Sequence, residues 1–232
     1  MMGNFLIIGG SSGIGKALTR ILAAENNWVF ATYNASPVES DHPKISYHAV
    51  NVLEESIDLD FLPEQLDGLA YCPGRIELKP FHRLSVKSFM DDYRLQVAGA
   101  IRVLQLALPH LKRSSSAAVL LFSTVAVQTG FPLHAQVASS KGALEGLTKA
   151  LAAEWAPAIR VNAIAPSLCD TPLAARLLNT PDKREANAQR HPLKKIGTAS
   201  DIASMAAFLL SESSSWITGQ ILPVDGGISA IR

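Results

Sequence analysis

The chain has 232 residues, 48% of them hydrophobic and 18% charged, with 21 basic against 20 acidic side chains and a net charge of +1. That balance is globular and near neutral, which excludes a disordered chain and argues against nucleic acid or an anionic membrane as partner. Cys72 and Cys169 form neither a disulfide framework nor a zinc pattern, and no apolar run reaches the roughly 18 residues that would span a bilayer.

The opening MMGNFLIIGG has no basic segment ahead of its apolar run. No signal peptide is expected, and two free thiols fit a cytoplasmic setting. Residues 5–8 are a short apolar run that stops at glycines. Residues 13–25 read as a helix with Ile14, Leu18, Ile21 and Leu22 on one face. Strands are expected at 28–32, at 45–50 and at 67–72, the last closed by Pro73-Gly74. The crossover at 53–66 is short and contains Pro63, so only a stub of helix is expected there. A long helical pattern covers 85–111. After a polar break at 114–116 comes an apolar strand at 117–122. A second long helix covers 136–155 and ends before Pro157. Residues 159–164 form a sixth strand, and 171–190 are polar and helical in part. A helix at 200–211 and a strand at 221–224 lead to Asp225-Gly226-Gly227.

Strands alternate with helices, and the strands are apolar end to end, as expected when both faces of a parallel sheet are covered. The chain therefore reads as α/β: one doubly wound, Rossmann-type domain over 1–232, its mostly parallel sheet of about seven strands flanked by helices on both faces. Ligands in such a fold sit at the carboxyl ends of the strands.

Gly9-Gly10-Ser11-Ser12-Gly13-Ile14-Gly15 follows the first strand and opens a helix. Glycine allows positive φ and close backbone approach, and a helix start offers free N–H groups to a phosphate. The pattern alone is weak; its place after the first strand makes it a strong sign of dinucleotide binding.

With GGSSGIG in that place, SSKGALEGLTKAL in the second long helix, IRVNAIAP at the sixth strand and TGQILPVDGG near the end, the chain resembles the short-chain dehydrogenase/reductase family over nearly its whole length. The resemblance implies NAD or NADP as cofactor. The family's Thr before the first glycine is Ile8 here. The resemblance places the cofactor against Gly9, Ser11, Ser12, Gly13, Ile14 and Gly15, then Tyr33, Asn34, Asn51, Val52, Cys72 and Gly74, and finally Lys141, Pro166, Cys169 and Thr171. A carboxylate ending the second strand would hold a ribose 2′-OH and mark NAD. The strand ends Ala31-Thr32-Tyr33-Asn34 instead. Without that charge a 2′-phosphate meets no repulsion, yet no Arg or Lys stands at Ser12 or Asn34 to pair with it. The balance leans to NADP. Asn51 occupies the place of an adenine-contacting aspartate, and Thr171 that of a residue capping the nicotinamide carboxamide; Ser167 replaces a glycine.

In the family a tyrosine four residues before the lysine gives its proton to the substrate oxygen, a serine polarises the carbonyl, and an asparagine supports a water relay. Positions i and i+4 share a helix face. Here Lys141 matches, Val137 occupies the tyrosine's place, Thr124 that of the serine, with Ser123 beside it, and Gln96 that of the asparagine. Of the family's Asn-Asn-Ala-Gly only the glycine survives in Tyr71-Cys72-Pro73-Gly74. His134, just before the helix, is a possible surrogate acid. Tyr33 and Tyr71, at strand ends, are placed to stack on adenine or close the pocket. Each of these residues also has a plain structural role open to it, Val137 above all, which simply packs.

The resulting expectation is an NAD(P)-dependent oxidoreductase acting on a carbonyl or alcohol with an atypical active site. The alternatives are a catalytically impaired relative that senses or carries a dinucleotide, and a structural subunit. A small-molecule substrate, a substrate loop near 168–195 and a homodimer or homotetramer built on the two long helices complete the expectation, with no metal, nucleic acid or membrane involved.

Overall fold

Runs that are apolar at every position give strands with two buried faces, and that property centres the sheet. The computed structural model describes residues 2–231. Strand β1 (Asn4–Ile8) sends Leu6 and Ile8 to one core and Phe5 and Ile7 to the other. Helix α1 (Gly13–Ala24) follows, then β2 (Trp28–Tyr33), β3 (Ile45–Ala49) and β4 (Gly68–Tyr71). Helices α2 (Val86–Tyr93) and α3 (Gly99–Leu111) precede β5 (Ala117–Phe122). A single turn α4 (Ala126–Thr129) and the long α5 (Ala135–Trp155) lead to β6 (Ile159–Pro166). The chain finishes with β7 (Cys169–Asp170), α6 (Pro181–Gln189), β8 (Gly197–Thr198), α7 (Ala199–Leu210) and β9 (Ile221–Val224).

Seven strands form one sheet in the order β3-β2-β1-β4-β5-β6-β9, and every pairing is parallel. The order reverses between β1 and β4, which opens a crevice at their carboxyl ends. One face packs on Val103, Leu104 and Leu111 of α3 and Leu144 and Ala152 of α5. The other packs on Leu18 and Leu22 of α1 and Ile202, Ala203 and Ala206 of α7. A separate two-stranded ladder pairs Cys169 with Gly197 and Asp170 with Thr198, tying together the two ends of the 168–195 segment. Among the described residues no helix is long and apolar enough to cross a membrane.

Three expectations are corrected. The crossover at 53–66 has no helical stub; it runs as turns and bends. Ile57 and Leu59 are both buried against the α3-side core, an i, i+2 spacing that an extended segment presents to one side and a helix does not. The long 85–111 helix is interrupted. Residues Arg94–Ala98 form a π turn, in which the Gly99 N–H donates to the Arg94 carbonyl. The Tyr71 hydroxyl, from the end of β4, donates to the Leu95 carbonyl within that turn at 2.6 Å. A Cβ on Gly99 would lie 2.4 Å from the Tyr71 oxygen, so glycine there makes room for the bond. Tyr71 is thus 2% exposed and held in the core rather than free to stack on a ligand.

Candidate functional site

A cavity of about 650 Å³ opens over the carboxyl ends of β1, β4, β5 and β6. It gathers the sequence-assigned residues from distant parts of the chain. Gly9, Ser11, Ser12, Gly13, Ile14 and Gly15 line one end, with Tyr33, Asn34, Asn51 and Val52 beside them. Cys72, Gly74, Gln96, Thr124, His134, Val137 and Lys141 line the other, with Pro166, Cys169 and Thr171 also on the wall.

At the turn, Gly9 and Gly13 have φ of +75° and +53°, a region that costs most side chains energy. A Cβ on Gly15 would sit 2.3 Å from the Gly9 carbonyl oxygen, so the helix start packs directly on the strand end. The Gly9 N–H donates to the Thr32 hydroxyl at 3.0 Å, which fastens the turn to the end of β2. Ser12 precedes α1 in extended geometry with no side-chain cap. A helix start without a side-chain cap leaves backbone N–H groups available to an acceptor beside the cavity, an arrangement suited to phosphate. Thr171 packs against this turn: its Cβ lies 3.6 Å from where a Cβ on Gly13 would stand. Asn51 folds its side chain into a local turn, its Oδ1 accepting from the Leu53 N–H at 3.1 Å.

The other end is built on α5. Val137 and Lys141 are 4% and 8% exposed. Lys141 Nζ donates to the Phe122 carbonyl at 2.7 Å, at the end of β5. Burial lowers the Lys141 ammonium to about 8, and the Asp92 carboxylate opposes that shift. Burial likewise holds the neighbouring Cys72 thiol up at about 12. Thr124 is half-buried on the wall, and its Oγ1 accepts from the Ala126 N–H at 3.3 Å, leaving its own hydroxyl proton uncommitted. Ser123 is committed elsewhere, donating to Glu145 at 2.6 Å. His134 Nδ1 sits 2.7 Å from the Pro132 carbonyl. That nitrogen donates, and in the neutral ring Nε2 is left as an acceptor. Gln96 is fully buried within the π turn, and its Nε2 donates to Asp92 at 2.7 Å.

Two features escaped the sequence reading. Asp92 lies one helical turn before Gln96 and is 1% exposed; the i, i+4 spacing of acid and amide was the available signal. Ser167 and His191 meet across the cavity wall, Oγ to Nε2 at 2.9 Å, while His191 Nδ1 lies 2.9 Å from the Asn187 carbonyl. Nothing local in the sequence pairs residues so far apart. The lining carries Arg75, Lys141 and Arg190 and no Asp or Glu.

Comparison with known proteins gives concordant matches. A family model described as enoyl-(acyl carrier protein) reductase matches residues 9–229. The 3-oxoacyl-(acyl-carrier-protein) reductase FabG of Thermotoga maritima is 30% identical over 243 aligned positions, covering 96% of this chain and 96% of that protein. The ligand-free aldohexose dehydrogenase of Thermoplasma acidophilum superposes with a TM-score of 0.92 at 26% identity, covering 100% of this chain and 95% of that one. ElxO with NADP bound superposes with a TM-score of 0.88 at 27% identity, over 98% of this chain and 99% of the other.

Proposed function

The chain belongs to the short-chain dehydrogenase/reductase family, and from that premise we propose that it is an NAD(P)-dependent oxidoreductase acting on a carbonyl or alcohol with an atypical active site. The observation that carries this is continuity: the glycine turn and Lys141 line one cavity. The cavity fits a dinucleotide. Glycine at 15 lets the start of α1 close directly onto the Gly9 carbonyl at the end of β1, and the uncapped start of α1 supplies the N–H groups a pyrophosphate needs. When bound, the nicotinamide supplies or accepts the hydride. The chain's own part is to hold and orient. The α1 N-terminus binds phosphate, Tyr33, Asn34, Asn51 and Val52 flank the adenosine, and Lys141 holds the nicotinamide ribose. Cys72, Gly74, Pro166, Cys169 and Thr171 bound the nicotinamide, and Thr124 turns its hydroxyl on the substrate oxygen. Gln96 stands behind Lys141.

No carboxylate lines the cavity at the adenosine end, which favours NADP over NAD, and the similar fold of ElxO is seen with NADP bound. The segment 168–195 acts as the substrate loop. Cytoplasmic placement suits the free thiols Cys72 and Cys169. Assembly into a homodimer or homotetramer would cover Val86, Met90 and Leu106, which α2 and α3 leave exposed.

A specific observation favours a second reading. Val137 has no proton to give, and losing a general acid costs about 10²–10⁴ in rate. A chain that binds the dinucleotide without turnover would be a sensor or partner subunit. Calorimetric titration with NADPH and NADH, then turnover over aldehydes, ketones and quinones, decides between them. Turnover supports the enzyme; tight binding with none anywhere on the panel gives the second reading. If His134 is the surrogate acid, His134→Ala abolishes the wild-type activity.

A further inference from the structure

Behind the cavity wall, on the last turn of α2, lies a carboxyl group that the chemistry above does not use. Asp92 is 1% exposed. One oxygen, Oδ2, accepts from Gln96 Nε2 at 2.7 Å; the other, Oδ1, has no partner. Gln96 is 0% exposed, and its own Oε1 is unpartnered too. That oxygen and Lys141 Nζ stand 3.6 and 3.8 Å from the point a Cβ on Gly74 would occupy, so the two converge on one spot of the wall. Buried orphan oxygens are rare and call for an explanation.

The chemistry of the groups supplies one. A carboxylate only accepts, so the neighbouring amide must turn its NH₂ toward Asp92 and its carbonyl the other way. A buried carboxylate also needs positive charge within reach. We propose that Asp92 is the positioning residue of this cavity: it fixes the Gln96 amide with its carbonyl toward Lys141, and it is the buried counter-charge of the Lys141 ammonium. The consequence for catalysis rests on the dinucleotide reading above; the pairing itself does not.

The groups facing Lys141 are few. Asp92 comes from α2 and Cys72 from the end of β4, and the Cys72 thiol, held up at about 12 by burial, is neutral. From β5 comes only the Phe122 carbonyl. Glu145, on the same helix, is engaged by Ser123 and Gln128. Arg75, whose carbonyl meets Gln96, has its guanidinium paired with Glu77. Asp92 is thus the acid that sustains the Lys141 charge.

The test is competitive acetylation of the cofactor-free protein with trace acetic anhydride across pH, each lysine read by mass spectrometry. Asp92→Asn keeps an acceptor for Gln96 and removes only the charge. The Lys141 labelling midpoint then moves toward acid by about one pH unit, Asp92→Glu restores it, and the exposed Lys16 and Lys149 do not move. An unmoved Lys141 midpoint in folded Asp92→Asn overturns the proposal. Should Asp92→Asn fail to fold, the Lys141→Met/Asp92→Asn double variant decides. Restored folding shows that the charges answer one another, and continued failure overturns the pairing. NADPH titration of the same proteins keeps the two readings apart, because absent binding defeats the dinucleotide reading while leaving the labelling result standing.

Discussion

Val137 and Lys141 stand one helical turn apart on α5, both buried and both on the cavity wall. In the family that interval joins a proton donor to the ammonium that acidifies it. On the reading proposed above, an aliphatic group fills the donor's seat, while the Lys141 ammonium donates to the Phe122 carbonyl. Restoring the phenol asks whether the rest of the site is still aligned. Val137→Tyr projects a ring into a cavity of about 650 Å³, so there is room for it. We expect NADPH-dependent carbonyl reduction to rise by about 10²–10⁴, measured as kcat/KM over the aldehyde and ketone panel. A variant that binds NADPH and gains nothing would show that the pocket has diverged beyond one residue.

Lys141 makes stability depend on pH. Its folded value, about 8, lies below the ordinary 10.5. Between those values the unfolded chain binds the extra proton, so stability rises as pH rises through that window. The native state is penalised in full below about 8 and relieved above 10.5. The whole span is worth on the order of 3 kcal/mol. Lys141→Met removes the dependence. Denaturant titrations from pH 7 to 10.5 should show the variant's advantage over wild type shrinking; a constant difference would contradict the lowered ammonium.

Gly15→Ala places a methyl where the Gly9 carbonyl already stands, 2.3 Å away. Backbone must yield, at a cost on the order of 1–3 kcal/mol. Thermal unfolding should report that loss, and calorimetry should report a loss of dinucleotide affinity. An unchanged melting temperature would mean that the turn is looser than its geometry indicates.

Asn34→Asp adds a carboxylate where the adenosine ribose is expected. It should weaken NADPH by at least about tenfold, roughly 1.4 kcal/mol, and spare NADH, whose hydroxyl a carboxylate can accept from. Equal effects on both would remove Asn34 from the ribose.

Much of this molecule was readable before folding. Strands with two buried faces announce themselves by unbroken apolar runs, so residues 5–8 and 117–122 were plain. Glycines before a helix and a lysine within one also announce themselves, because local spacing alone fixes their geometry. What stayed hidden depends on partners far along the chain. In the π turn at Arg94–Ala98 the Leu95 carbonyl accepts from Tyr71, far back in the chain, and no helical period contains that information. Tyr71 looked like a pocket residue because strand ends face ligands, but the room beside Gly99 drew it into the core. Ser167 and His191 form their contact across a whole helix. Asp92 was hidden for another reason: an acid among polar helix residues reads as solvated until the fold buries it.

The bond from Tyr71 to Leu95 gives the site a control outside itself. Its donor belongs to the sheet's core and its acceptor to the turn that carries Gln96. A change at position 71 or 99 would alter the pitch of that turn, and with it the aim of the amide behind Lys141, while every residue on the cavity wall kept its identity. Selection for a new substrate in this scaffold therefore has an adjusting screw at the rear. Improved variants from a random library should carry changes at 71 and 99 alongside those in the pocket.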